Sequence, residues 1–388
     1  MGIQGGIENL QWLFTGTFAS ALLLAPVFGF LTRRVSRDKL IPGIFVFFSL
    51  NIVAFYIAFL TLESKLLSIA FFMWLSVFSI FAISIFWSFN SDIFNSDQAK
   101  RFYGPIAAGG SAGAIFGPTI AALFAGKIGV TNLLLISLGF MVLATFLAFQ
   151  MAKMRKSQKE AKLVPSLNAG SWDGLRLILK SSFLKQISLF ILLYTSISTI
   201  LYFEQAHIVS NAFSSSADRT AFFGTRDLLT NIITLILQFF LTERIIRKWG
   251  VVFCLILVPL VSVLSFLSLS LSQSMYLILG IQVAYRSLNF SVQRPTREIL
   301  FTVVTAEERY KSKNFMDTAV YRGGDAMSGW LFAGLSSVVG SLQVVAFIAI
   351  PLALSWVVVG LKTGRLFNRK NSTVYEIKNE IIITKKSA

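Results

Sequence analysis

Eleven apolar stretches of about 20 residues divide this chain almost from end to end. They run 10–31, 41–62, 66–90, 102–126, 130–152, 184–208, 219–243, 251–272, 274–293, 314–340 and 342–362. A stretch of that length is what the hydrocarbon core of a bilayer accepts as helix, because no water is there to satisfy unpaired backbone groups. Composition leaves little alternative: 55% of the residues are hydrophobic, 38 are Phe, and the mean hydropathy is +0.71. A soluble domain could not cover that much apolar surface. Residues 1–9 lack the basic start of a cleavable signal, and the first apolar stretch runs on as a span. The fold class expected is an all-α polytopic membrane protein.

The stretches fall into two related halves. Leu31-Thr32-Arg33-Arg34-Val35-Ser36-Arg37 aligns with Leu241-Thr242-Glu243-Arg244-Ile245-Ile246-Arg247 at an offset of 210 residues. Ser96-Asp97-Gln98-Ala99-Lys100-Arg101-Phe102-Tyr103 echoes Glu307-Glu308-Arg309-Tyr310-Lys311-Ser312-Lys313, and paired glycines follow each, Gly109-Gly110 and Gly323-Gly324. Duplicated helical bundles around a site at mid-membrane are a transporter design. The second half opens with a span at 184–208, whose counterpart would precede Met1. The reading is therefore a 6+6 bundle with its first helix missing, about 11 spans in all. It carries the expectation of an upstream in-frame start or a truncated product.

The domains read as 1–152 (five spans), a basic linker 153–183, 184–364 (six spans) and a polar tail 365–388. Of the 35 Lys and Arg, 29 lie in 32–40, 91–103, 153–185, 244–250, 294–313 and 362–388, all on one side if the spans alternate. The positive-inside rule makes that side cytoplasmic, the N-terminus of the chain external and the C-terminus cytoplasmic. The net charge of +17 is then topology plus attraction to anionic lipid, and no nucleic-acid partner is expected. The lone Cys254 excludes an internal disulfide, and His207, the only histidine, excludes triads and histidine metal clusters. No enzyme chemistry, cofactor or metal is expected.

Charges inside the spans carry the functional signal. Arg286 sits near the middle of 274–293, where an arginine costs roughly 2.5–3.5 kcal/mol on insertion scales, so it must face protein or water. Gln282, Arg286, Asn289 and Gln293 form one polar stripe with it. Two roles stay open: an anion contact, since guanidinium donors form a planar fork suited to phosphate or carboxylate, or an ion pair with Asp227 or Glu204. Tyr194, Ser198, Tyr202 and Gln205 share a face of 184–208. Tyr202 suits a ligand contact or an interfacial aromatic belt. Glu204 suits a coupling site or simple solvation near the external end. Arg226 and Asp227 are adjacent and should find partners elsewhere. Gly109, Gly113 and Gly117 give a small face for close helix contact, and Pro118 a bend. Asp92, Asp97, Lys100 and Arg101 in one half, with Arg297, Glu298, Glu307, Glu308, Lys311 and Lys313 in the other, could form a cytoplasmic gate or a merely solvated face.

Several of these residues resemble the major facilitator superfamily. Gly29-Phe30-Leu31 with Arg33, Arg34, Arg37 and Lys39 is similar to its basic loop after the second helix, and Gly113-x-x-x-Gly117-Pro118 to the glycine-proline motif of its antiporters. Within it, the chain resembles the ATP:ADP antiporter family of plastids and intracellular bacteria. Trp87-x-Phe89-x-x-x-Ile93 with Ala99-Lys100-Arg101-Phe102-Tyr103 carries the likeness in one half. Pro295-Thr296-Arg297-Glu298 with Glu307-Glu308, Lys311-x-Lys313 and Asp317 carries it in the other. The family's acidic residue before Asp92 has no counterpart, since only Lys65 is charged between Glu63 and Asp92. The resemblance implies a major-facilitator-like bundle in the inner membrane, working as a monomer by alternating access and exchanging an anionic substrate such as a nucleotide. It implies a cavity lined by Arg286, Gln282, Asn289, Tyr194, Tyr202, Trp87 and Asn90. The alternatives are a proton-coupled exporter of a small metabolite or drug, using Glu204 or Asp227, and a non-transporting scaffold.

Overall fold

The computed structural model describes residues 10–386 apart from 35–36, 63, 94–95, 157–172, 306–307, 309–311 and 314, with side chains described outside 21, 24–41, 80–81, 83–85, 87–108, 151–173 and 373–386. Among the described residues there are helices and no strands. In chain order they are α1 (Leu10–Arg34), α2 (Arg37–Thr61), α3 (Lys65–Ile93), α4 (Ser96–Ile128), α5 (Leu133–Lys156), the short α6 (Asp173–Lys180), α7 (Ser182–Ala212), α8 (Ser216–Phe240), α9 (Thr242–Leu271), α10 (Met275–Leu288), α11 (Arg294–Leu300), α12 (Tyr321–Val339) and α13 (Leu342–Lys386). Each apolar stretch of the sequence is a helix here. Among the described residues, six segments are long and apolar enough to cross a membrane, including Ser182–Ala212, Thr242–Leu271 and Leu342–Ser372.

Three boundaries differ from expectation. The stretch 274–293 does not end at Gln293: α10 passes through a π-helical turn, Asn289–Gln293, directly into α11. A second π-helical turn, Met316–Val320, precedes α12. The last span does not give way to a tail, because α13 continues for 45 residues. At 1.5 Å per residue that is roughly 68 Å, more than twice the hydrocarbon thickness of about 30 Å. Within α9, Gly250 breaks the helix with φ 75° and ψ 171°, a conformation glycine adopts without the Cβ penalty. It separates the repeated basic motif from the apolar span after it.

The chain divides into two compact units. One is Met1–Leu167 with Val209–Leu228; the other is Asn168–Ile208 with Leu229–Ala388. In the first, α2, α3 and α5 enclose Phe48, Ile52, Phe71, Leu134 and Met141. Trp74 stacks on Phe78 with centroids 5.7 Å apart, and Phe48 meets Phe78 edge-on at 4.9 Å. Lipid is as apolar as these side chains, so packing and hydrogen bonds, not water exclusion, hold the helices together. Each such ring pair adds about 0.5–1.5 kcal/mol. Tyr56 supplies a polar tie by donating to Asn132 Oδ1 at 3.1 Å.

The expected tight contact along Gly109, Gly113 and Gly117 is not where the sequence placed it. A Cβ at any of the three would meet nothing within 4 Å. Close approach comes further along α4, where a Cβ on Gly224 of α8 would lie 2.8 Å from Ala122 N and 2.9 Å from Pro118 O. The small residue that matters is on the partner helix.

In the second unit α7 is buried along most of its length, through Leu184, Ile187, Ile191, Ile197 and Leu201. Helices α9 and α13 pack closely, with Gly364 against Val252 and Gly360 against Leu255 O. Trp356 of α13 is fully buried against Phe190, centroids 5.5 Å apart.

Candidate functional site

The site grows from the polar face of α7. Asn289 donates from Nδ2 to the Tyr194 hydroxyl at 3.0 Å, and Gln282 donates from Nε2 to Leu201 O at 2.9 Å. Both bonds are buried, and they join α10 and the π-helical turn after it to α7. Gln282, Asn289 and Tyr194, expected as substrate contacts, are thus engaged between helices, each under 6% exposed. Such bonds average about 0.6 kcal/mol in membranes and reach about 1–2. Tyr194→Phe and Asn289→Leu are each expected to lower stability by about that much. The double variant should cost less than the two singles together, measured by reversible unfolding in detergent micelles. Strict additivity would mean that the bond is not made.

Arg286 lies between these two buried residues and is itself half-buried. Its guanidinium stands 5.8 Å from the Phe290 ring centroid, and that of Arg294 stands 4.5 Å from the same ring. Below Arg286 the helix widens. Arg294 N donates to Asn289 O, five residues back, and Pro295 has no N–H to offer Ser291 O. The carbonyls left over find side chains: Thr242 Oγ1 donates to Ser291 O at 2.9 Å, and Gln238 Nε2 to Phe290 O at 3.3 Å. Buried backbone at membrane depth requires such substitutes. Thr242 belongs to the repeated motif, so part of that motif serves this turn.

A third polar element was missed by sequence reading. Asp325 of α12, 7% exposed, accepts from Thr199 Oγ1 of α7 at 3.0 Å and lies 3.8 Å from Arg322 Nη1. The signal was there: an Arg-x-x-Asp spacing inside an apolar helix. Gly324 next to it lets α12 press on α7, where a Cβ would overlap the Thr195 side chain. Tyr321 completes the wall, its ring 5.9 Å from that of Tyr194.

Glu204 is fully buried, which overturns the expectation of simple solvation. It lies alongside Gln273, but that amide donates to Leu269 O at 2.9 Å. Neither Glu204 oxygen has a hydrogen bond of good geometry among the described residues, so it is not a hydrogen-bonded partner of Arg286. Tyr202 packs edge-on against Phe203 at 6.2 Å and is half-buried. Arg226 and Asp227, expected not to meet, pair directly. Arg226 folds back over Phe223 and reaches its neighbour directly, with Nε at 3.0 Å and Nη2 at 2.7 Å from Asp227 Oδ1. The long arginine stem overcomes the angular separation that rules out shorter adjacent pairs.

Of the expected gate, Glu298 and Lys313 form an ion pair. Arg297 and Lys313 lie within electrostatic reach of Asp317. Glu308 instead bonds locally: its Oε2 accepts from Thr305 N and Oγ1, both at 3.1 Å, while Glu308 N donates to Thr305 Oγ1 at 3.2 Å. That reciprocal pattern is a capping box, a local role that the Thr-x-x-Glu spacing announces. The side chains of Trp87, Asn90, Asp92, Asp97, Lys100 and Arg101, and residues Glu307 and Lys311, lie outside the described residues.

Helices of this length with polar ties and charged groups at depth define a polytopic membrane transport protein. The sequence pattern of the Major Facilitator Superfamily matches residues 4–309, and the chain belongs to that family. It is 20% identical to ADP,ATP carrier protein 2 of Chlamydia trachomatis serovar D, over 97% of this chain and 85% of the relative. Its fold is similar to a bacterial homologue of the iron transporter ferroportin in an inward-facing state, with a TM-score of 0.66 and 12% identity over 92% of this chain and 90% of that one. It is also similar to a bacterial homologue of the human lysosomal transporter Spinster, inward-facing and unoccupied, with a TM-score of 0.55 and 13% identity over 97% and 93%.

Proposed function

We propose that the protein is a secondary transporter that exchanges an anionic metabolite, such as a nucleotide, by alternating access and without covalent chemistry. The observation that carries this reading is Arg286: a half-buried guanidinium at mid-helix, beside polar neighbours already engaged with α7. A charge at that depth is expensive unless it faces protein or water, and it marks substrate pathways more often than lipid contacts. The likeness to an ADP,ATP carrier supports the nucleotide class. Counterflow in proteoliposomes tests it. Internal ADP should accelerate uptake of labelled ATP, with no need for a proton gradient. Uptake that ignores every internal anion and collapses with a protonophore would sink the reading.

That second outcome belongs to the alternative, proton-coupled export, which one observation favours. Glu204 is a fully buried carboxyl beside Gln273, with no hydrogen bond of good geometry among the described residues. A group so placed is a natural proton carrier, because its ionised form is costly there.

Orientation in the membrane follows from the loop charges. Reporter fusions after Lys156 and Lys370 are expected to be cytoplasmic, and one at Ser215 external. An external signal from the Lys370 fusion would show the span count to be wrong by one.

A further inference from the structure

We propose that Glu204 and Gln273 hold a sodium ion, and that transport is thereby coupled to a sodium gradient. This goes beyond the exchange reading, which assigns no coupling ion. Glu204 is wholly buried, and neither of its oxygens receives a hydrogen bond of good geometry among the described residues. The Gln273 amide lies beside it. That amide gives its nitrogen to Leu269 O at 2.9 Å, and its own oxygen, Oε1, is buried and also lacks a donor. Three acceptor oxygens on two neighbouring side chains are thus left without a donor among the described residues. Buried acceptors in that state are rare, and a carboxylate among them is strongly unfavourable without a counter-charge.

The surroundings call for a cation. Gln273 directly follows the C-terminus of α9, whose cap is Ser272 and whose last turn holds no basic residue. The carbonyls at such an end carry about half a negative charge, which repels a carboxylate and attracts a cation. The N–H groups that open α10 at Met275 would suit a carboxylate, but neither Glu204 oxygen has a donor, so they do not serve it. His207, three residues along α7, gives Nδ1–H to Phe203 O at 2.8 Å and lays its ring against Phe332, centroids 5.5 Å apart. The count of oxygens then selects the ion. A proton on Glu204 would be shared with Gln273 Oε1 and would leave one carboxylate oxygen unserved. A sodium ion takes both carboxylate oxygens and the amide oxygen together, as hard cations do. Its single charge cancels that of Glu204, whereas a divalent ion would leave a net charge buried. Helix C-terminal ends are also where secondary transporters hold coupling ions.

The experiment uses the full chain in detergent, with sodium chloride as probe and choline chloride as the control at equal ionic strength. Sodium should raise the wild-type melting temperature saturably, by about 2–4 °C, and radiolabelled sodium should bind over the same concentration range. Glu204→Gln is nearly isosteric and removes a buried charge, so it should fold and lose both responses. Gln273→Leu keeps the carboxylate but removes the third oxygen, and should weaken sodium roughly tenfold. Its lost bond to Leu269 O will also lower the sodium-free melting temperature, so the sodium affinity is the readout. If Glu204→Gln fails to purify, Gln273→Leu decides alone, and an unchanged sodium affinity in it overturns the site. Equal shifts in sodium and choline, or a Glu204→Gln protein that still responds to sodium, overturn it too. A response to pH alone, lost in Glu204→Gln, would give the carboxyl to a proton and likewise overturn the sodium site. In proteoliposomes, an inward sodium gradient should accelerate uptake of labelled ATP by wild type and not by Glu204→Gln. Sodium binding without ADP-driven counterflow removes the nucleotide-exchange reading and keeps the site. Counterflow without any sodium response removes the site and keeps the exchange reading.

Discussion

Arg286→Leu is expected to abolish ligand-induced stabilisation and counterflow while leaving the protein at least as stable as wild type. The two effects have separate causes. Binding loses a charged hydrogen-bonding group of about 1.5–3 kcal/mol. Folding is relieved of a half-buried charge at membrane depth, whose insertion costs roughly 2.5–3.5 kcal/mol at the centre of a span. Arg286→Lys keeps the charge but not the planar fork, so it should bind more weakly and fold normally. If a buried acid depends on the arginine, Arg286→Leu will fold badly, and neutralising that acid will restore it. Melting curves of the purified variants, with and without ADP, separate these cases. Unchanged stabilisation by ADP in Arg286→Leu would exclude an anion contact at this position.

The other large effect concerns packing. Gly224→Ala is expected to destabilise the first unit by about 1–3 kcal/mol, and Gly224→Val by more. The reason is that the new Cβ would meet backbone atoms, Ala122 N and Pro118 O, which cannot swing aside as a side chain can. Gly117→Ala, only one residue from Pro118, should be neutral or slightly stabilising, since its Cβ enters open space and alanine favours helix. Melting temperature and monodispersity in detergent read both. A harmless Gly224→Ala beside a damaging Gly117→Ala would reverse this account of the crossing.

These two positions show what the sequence could and could not say. Apolar length is a local property, so all eleven stretches were legible, as were the polar stripe on α10 and the polar face of α7 that it meets. What a small residue faces is not local, which is why the glycines of α4 drew attention and Gly224 did not. Burial of Glu204 depends on neighbours remote in sequence, and its distance from the helix end wrongly suggested water. Arg226 and Asp227 were judged by angular position alone, and the reach of an arginine stem defeated that rule. Asp325 went unnoticed because its partner, Thr199, is 126 residues away. Glu308 was legible in principle, since Thr305 three residues earlier completes a capping box, but its repeated acidic context pointed toward a gate.

The π-helical turn at Asn289–Gln293 has a bearing on how this helix can change. A π turn holds one residue more than the α turn it replaces, so it works as an insertion that the ladder has absorbed without breaking. An α-helix advances roughly 100° per residue. A π turn with one residue more still completes one revolution, so the helix beyond it keeps nearly the phase it would have without the extra residue. The cost is local: the carbonyls of Phe290 and Ser291 are taken by Gln238 and Thr242. Deleting one residue of the five would let the turn close to ordinary helix with the segment below it nearly in place, and would remove the spare carbonyls that tie it to those two side chains.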